Sequence, residues 1–226
     1  MMKKLVVFGA AFHDVVKLVE AINRVTPTWD LLGFLDDTPE RQDQHYRGCP
    51  VLGGREILKK FGQEPETYVF NNVQGHWKRA QRVAGMLDEA GCNVASLVHP
   101  SVDLNHVTLG RGCFLPEGVI VGGNSQIGDF VTVGLGVIIS HDVTIGDFCF
   151  LGPGCLISGE ATLEKGCFLG VRATLIRQRK LGAHCFVGAG SVVTKNFPEG
   201  ARVVGVPARK LSGSHDSRIV IEDDIS

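Results

Sequence analysis

From Leu109 onward an aliphatic residue recurs every six positions without a slip: Leu109, Leu115, Val121, Ile127, Val133, Ile139, Ile145, Leu151, Ile157, Leu163, Leu169, Leu175, Leu181, Val187 and Val193. Four positions past each anchor the side chain is small in thirteen of fifteen cases, Arg179 and Phe197 being the exceptions. One position past each anchor, nine of fifteen residues are glycine. This is a hexapeptide repeat, and it predicts a parallel β-helix in which each hexad supplies one short strand and one corner. The anchor points inward, the small residue fits the corner, and glycine supports the strained backbone beside it. Three hexads close a triangular coil, so the fifteen anchors predict about five coils. At ~4.8 Å between stacked strands the prism is about 24 Å long.

The chain before the repeat has a different grammar. Residues 4–8 read as a buried strand, 9–11 as a turn, and 14–24 as a helix with Val15, Leu18, Val19 and Ile22 on one side. A second strand over 31–35 ends in Asp36-Asp37. A short helix over 56–61, a strand over 67–70, a helix over 76–90 and a strand over 94–98 follow. Such alternation predicts a small parallel α/β domain over residues 1–98. His99-Pro100 marks the boundary, the β-helix occupies 99–211, and residues 212–226 form a C-terminal tail outside both domains.

Composition narrows the function. The 226 residues include 29 glycines and few aromatics, which suits repeated tight turns, and the formal net charge is −1. No basic excess points to nucleic acid. No apolar run is long enough for a membrane span. The short apolar run near the N-terminus ends at His13-Asp14 and reads as a first strand, not a signal peptide, so a cytoplasmic protein is expected. Seven cysteines contain no CxxC pair. Cys113, Cys149, Cys155, Cys167 and Cys185 all fall in the small slot, where a thiol acts as a buried small hydrophobe. No metal site is predicted.

His141-Asp142 stands out within the repeat. These third and fourth hexad positions face away from the interior, so polarity there costs the fold little and a solvated corner would explain it. Residues eighteen apart stack on successive coils, which aligns Gly123, His141, Gly159 and Arg177. Glycine on both sides leaves the imidazole uncrowded, with room for a slender ligand along the prism.

With these features the chain resembles the hexapeptide-repeat acyltransferases, in particular the bacterial nucleotide-sugar N-acetyltransferase and sialic-acid O-acetyltransferase group. The resemblance rests on a Gly-x-x-x-His turn (Gly9 to His13), a strand ending Phe34-Leu35-Asp36-Asp37, the repeat with its His-acid pair, and the closing Gly205-Val206-Pro207-Ala208-Arg209-Lys210. It implies a Rossmann-like first domain that holds a nucleotide-linked amino sugar, a left-handed β-helix, and a homotrimer with each active site between two β-helices. It implies acetyl-CoA as cosubstrate and N-acetylation feeding glycan, O-antigen or lipopolysaccharide synthesis. His141 is then the general base, Asp142 orients its ring, and the Gly159 N–H stabilises the oxyanion. Phe150, where many relatives carry a second histidine, is expected against the pantetheine arm, with Val171 and Ala189 also at the cofactor. Arg177 and Lys195 belong to a group of C-terminal cations available to CoA phosphates. Ala11, Phe12, His13, Asp36, Asp37, Phe70 and Asn71 are the matching substrate positions. Phe12 and Asp14 are bulkier than the glycines many relatives carry in this turn, and Phe70 precedes Asn71-Asn72 where glycine is common.

Other readings are a sugar O-acetyltransferase of the sialic-acid type and a non-catalytic sugar-nucleotide-binding β-helix protein. A scaffold would not need His141-Asp142 between two glycines. A dinucleotide redox domain lacks GxGxxG after the first strand. A γ-carbonic-anhydrase-like metal enzyme needs three converging histidines, and the repeat offers only His141 and His184.

Overall fold

Residues 2–12 and 14–211 are described by the structure, a computed structural model. The predicted tail, 212–226, and His13 lie outside the described residues. The strands and α-helices of the first unit up to residue 89 are β1 (Lys3–Phe8), α1 (Asp14–Val25), β2 (Trp29–Leu35), β3 (His45–Tyr46), β4 (Cys49–Gly53), α2 (Leu58–Gly62), β5 (Thr67–Asn71) and α3 (Trp77–Glu89). With β6 (Asn93–Val94) the strands form one sheet in the order β3-β4-β2-β1-β5-β6, parallel except for the β3–β4 pair. Central β1 is buried on both faces. Leu5 and Val7 join Val15, Leu18 and Val19 of α1, while Val6 and Phe8 join Leu58 and Phe61 of α2 and Val83 and Leu87 of α3. This double burial is why β1 reads as a continuous apolar run.

The second unit is a prism of two-residue strands. They recur every six residues from Thr108–Leu109 to Val192–Val193, and through Thr174–Leu175 each pairs in parallel with the strand eighteen residues on, as in Ile120↔Ile138↔Leu156. Three sheets result. The first face contains Leu109, Ile127, Ile145, Leu163 and Leu181; the second starts at Leu115 and the third at Val121. From Ile127 to Val193 the anchors are 2 % exposed or less and form one continuous core. Each such side chain withdraws about 1.5–3 kcal/mol of apolar surface from water, so the stacked anchors dominate this unit's stability.

Three differences from the sequence reading have physical causes. The expected strand over 94–98 is two strands: Asn93–Val94 closes the sheet, and Leu97–Val98 pairs with Phe114–Leu115 on the prism's second face. Leu97 sits eighteen before Leu115, but the intervening sixth position is Asp103, which hides this early strand from a search for aliphatic anchors. At the far end Val187 pairs with Val203, sixteen residues on, because the last turn is two residues shorter; Phe197 and Val203 take over the inward positions. The β3–β4 hairpin was not anticipated, being short and turning on Arg47 and Gly48, both at positive φ.

The two units share a core: Phe114 of the second face packs with Phe70 of β5, ring centroids 5.9 Å apart, and lies in the same cluster as α1. Helix α3 runs along the first corner and is held at both ends. Asp88 takes both Arg111 terminal nitrogens at 2.6 and 2.9 Å, and Trp77 stacks on His184 at 3.9 Å. Arg111 and His184 lie four coils apart, roughly 19 Å at strand spacing, which a helix of this length spans at 1.5 Å per residue.

Candidate active site at the third corner

The third corner follows each third-face strand, and His141-Asp142 follows Ile138–Ile139 there. Asp142 has φ +57°, as do its stacked neighbours Asn124 (+60°), Glu160 (+61°) and Gln178 (+59°). This left-handed turn, regular from coil to coil, swings both side chains of the pair outward. The Asp142 carboxylate then meets His141 Nδ1 at 2.8 Å. With Nδ1–H donating to Asp142, Nε2 carries the lone pair. The imidazole bond holds the Asp142 carboxyl below its usual range, and Asn124 adds to this from the coil above. Asn124 was not singled out from the sequence, although the eighteen-residue stacking that aligned Gly123 with His141 aligns it with Asp142.

Gly159 has a definite steric role. A Cβ there would stand 2.8 Å from His141 Cε1 and 2.9 Å from Nε2. The ring therefore lies over the glycine of the next coil. The backbone at this point is open to a ligand oxygen: Gly159 C=O accepts from Gln178, but its N–H donates to no group among the described residues. His141, Asp142 and Gly159, predicted together, are together.

The predicted cofactor residues are dispersed. Val171 and Ala189 stack with Glu117, Leu135 and Pro153 along the second corner, and both are exposed. Phe150 belongs to the second face, in a ladder with Phe168 and Phe186 at 5.0 and 5.1 Å. Phe12, Leu18, Phe114, Leu135, Phe150 and Pro153 help line a cleft of about 700 Å³ between α1 and the prism. Arg177 is committed to Glu160, and Lys195 lies over the Phe197 ring at 5.5 Å.

The predicted substrate residues divide sharply. Ala11 and Phe12 are exposed at the turn. Asp36 is 5 % exposed and already saturated: it accepts from Ala10 N–H at 2.8 Å, Thr38 N–H at 3.0 Å and Arg41 Nη1 at 2.9 Å. Burial pushes its carboxyl up, but the bonds from Thr38, Ala10 and Arg41 outweigh this and hold it below the usual carboxylate range. Asp37 binds Arg55 through its N–H and guanidinium. Phe70 is buried against Phe114, so its ring belongs to the core and not to a ligand surface. Asn71 is likewise interior, donating to Ala80 C=O and accepting from Val73 N–H. Asn72, noted in the sequence only as the end of the Phe70-Asn71-Asn72 run, is buried and donates to both Gly9 C=O and Phe12 C=O, which fixes the turn against β5. Among the described residues, no three His, Cys, Asp or Glu side chains gather as a metal cage.

The bacterial transferase hexapeptide model, six repeats, matches residues 124–159. Comparison with curated proteins gives no match. A histidine-to-alanine variant of GDP-perosamine N-acetyltransferase from Caulobacter crescentus, in complex with CoA and GDP-perosamine, superposes with a TM-score of 0.85 at 26 % identity, over 94 % of this chain and 99 % of that one. The acetyltransferase domain of PglB from Neisseria gonorrhoeae, in complex with acetyl coenzyme A, gives 0.82 at 26 % identity, over 93 % and 100 %. WeeI from Acinetobacter baumannii shares the fold at 0.61 and 20 % identity, over 93 % and 100 %. The repeat, the coil it builds and these near-full-length likenesses make the chain similar to acetyltransferases of the hexapeptide-repeat kind.

Proposed function

We propose that the protein transfers the acetyl group of acetyl-CoA to the amine of a nucleotide-linked amino sugar, with His141 as general base. The observation that carries this is the third corner itself: Asp142 holds Nδ1, and Nε2 is presented over a glycine. Support comes from the Caulobacter enzyme with its bound CoA and GDP-perosamine and from the PglB domain with acetyl coenzyme A. Nε2 takes the proton as the amine nitrogen bonds to the thioester carbonyl carbon. The imidazolium is stabilised by Asp142. The Gly159 N–H faces the developing oxyanion. The C–S bond then breaks and the imidazolium returns its proton to the departing thiolate.

In this reading the sheet unit through Val94 is a Rossmann-like nucleotide-sugar domain, the prism, which Leu97–Val98 joins, is a left-handed β-helix running to 211, and 212–226 are a tail. Ala11, Phe12 and Asp37 are the substrate-facing positions, His13 is assigned to the substrate by the resemblance alone, and Asp36 holds the turn through the Ala10 N–H while Phe70 and Asn71 are interior. Phe150, Val171 and Ala189 line the acetyl-CoA path. The third face carries an exposed apolar ladder, Ile120, Ile138 and Leu156. It lies between the second corner, which borders the cleft, and the third, which carries His141. A cyclic homotrimer covering this ladder brings His141 of one subunit to the cleft of the next. Such an enzyme works in the cytoplasm on glycan or O-antigen precursors; among the described residues no helix is long and apolar enough to cross a membrane.

The test is CoA thiol release from acetyl-CoA against UDP-, GDP- and dTDP-linked amino sugars and free sialic acid. Fast release with one nucleotide-linked amine is expected. Release with sialic acid alone would move the protein to the O-acetyl branch. His141→Asn should lower kcat by about 10²–10⁴-fold while calorimetry finds acetyl-CoA binding unchanged. Near-normal turnover in that variant would remove His141 as the base.

A further inference from the structure

Directly below Asp142 on the third corner stands Glu160, whose N–H donates to His141 C=O at 3.1 Å. The imidazole leans toward this coil, since it lies over Gly159. A second carboxylate thus sits beside the ring, and both its oxygens are taken from below. Oε1 accepts from Arg177 Nε at 3.0 Å and also from Arg177 Nη2, and Oε2 accepts from Gln178 Nε2 at 2.8 Å.

We propose that Arg177, with Gln178, is a positioning residue that draws the Glu160 carboxylate down the prism and neutralises it, leaving the His141 imidazole answerable to Asp142 alone. This rests on the reading of His141 as the base. It also gives Arg177 a different task from the phosphate contact that its sequence position suggested.

Among the described residues of one chain, the charges that stack around the ring are few. Its own corner supplies Asp142. The coil above supplies Gly122, Gly123 and Asn124, all uncharged. The coil below supplies Glu160, and the next supplies Arg177 and neutral Gln178. Bonds from Gln178 and Arg177 hold the Glu160 carboxyl below its usual range, so it stays ionised wherever the enzyme works. An ionised carboxylate left unpaired here would favour the imidazolium and so enlarge the protonated, inactive share of the base. Paired with Arg177, its field at the ring is largely cancelled.

The experiment is a pH profile of kcat/KM for Arg177→Ala, Glu160→Gln and the double variant, beside a ¹³C-histidine NMR titration of the same proteins. His141→Asn identifies the His141 resonance by its loss. Arg177→Ala removes a cation and frees an anion, so the acid limb and the ring's titration should both move to higher pH. Glu160→Gln leaves Arg177 unpaired and should move both to lower pH. With both side chains partly exposed, solvent screening limits each shift to about 0.3–0.5 pH unit, a two- to three-fold change in kcat/KM on the limb. The double variant restores the original net charge and should return close to the parent profile.

Unmoved titrations in both single variants would overturn the proposal. So would a raised KM for acetyl-CoA at every pH in Arg177→Ala with the limb unmoved, which is the signature of a phosphate contact. The NMR separates this proposal from the reading beneath it. A ring titration that shifts as described, in a protein whose His141→Asn form turns over normally, supports the shield and removes the base. A ring that does not shift, in a protein that His141→Asn inactivates, does the reverse.

Discussion

Two residues, Gly159 and Asp36, show how differently a predicted site position can be used. Gly159 matters for the side chain it lacks. Gly159→Ala places a methyl within 3 Å of the imidazole, and the ring must swing off it. Because a misplacement of about 1 Å in a reacting group can cost roughly 10²-fold, kcat should fall by about 10–100-fold with the melting temperature nearly unchanged. A large loss of stability with intact kcat would contradict this. Asp36 is the opposite case. From the sequence it reads as a ligand contact, because an acid at the end of a second strand is free to accept from a ribose. The structure uses it on Ala10, Thr38 and Arg41; Thr38 and Arg41 follow it closely in sequence, but the Ala10 N–H comes from the turn after β1, and no local pattern reports that closure. Asp36→Ala should therefore cost about 1.5–3 kcal/mol of stability, the range for hydrogen bonds to a charged group, and weaken nucleotide-substrate binding through the loosened turn. Its carboxyl lies below the ordinary value when folded. Its stabilising contribution is therefore present above the unfolded value near ~3.9 and is lost as pH falls through the lower folded value. Acid melts of parent and variant should converge there, and a constant gap down to the lowest pH would count against it.

At the scale of elements the sequence is most readable where one rule repeats. Fifteen anchors in register predict the prism strand by strand, and Ile127 to Val193 are all buried as that rule requires. The small slot makes its own prediction about chemistry. Cys113, Cys149, Cys155, Cys167 and Cys185 are buried inside the coil. Burial pushes the Cys113 thiol up to about 12 and Cys155 to about 11. Cys167 and Cys185 are raised further, chiefly by their contacts with neighbouring thiols in one stack. Since the thiolate is the reactive form, a disulfide reagent at pH 8 should modify at most Cys49 and Cys92 in the native protein and all seven after denaturation. Rapid native reaction of more than two would mean that the coil opens. The sequence is least readable where two rules meet. Leu97 and Val98 obey the prism's rule but follow directly on a strand of the sheet, and with Asp103 at the next sixth position the periodicity assigns them to the wrong unit. The β3–β4 hairpin is too short to show any period.

At the scale of the molecule, fixed and unfilled surfaces divide the work. Helix α3, pinned by Asp88–Arg111 and Trp77–His184, and the Phe70–Phe114 contact hold the first unit against the prism, so the cleft keeps a set distance from the coils. The third face is different. Ile120, Ile138 and Leu156 are 60, 41 and 37 % exposed in one straight column, where a solvated strand would carry polar residues. Covering that column with a second copy also joins the two halves of the proposed site, because the cleft borders one edge of the face and His141 the other. Ile138→Glu tests this without touching the core, since Ile138 points outward while its neighbour Ile139 anchors the coil. Sedimentation should find the parent as a trimer and the variant near the 24.4 kDa of one chain, folded by circular dichroism yet inactive. Complementation then asks where the halves lie. His141→Asn and a variant that blocks the cleft, Leu135→Arg, should each be inactive alone. Unfolded together and reassembled, they should regain about a quarter of parental activity, the fraction of interfaces that pair an intact histidine with an intact cleft in randomly mixed cyclic trimers. If the mixture stays inactive while the parent treated alike recovers, the cleft and the histidine belong to the same chain, and the third face serves assembly without completing the site.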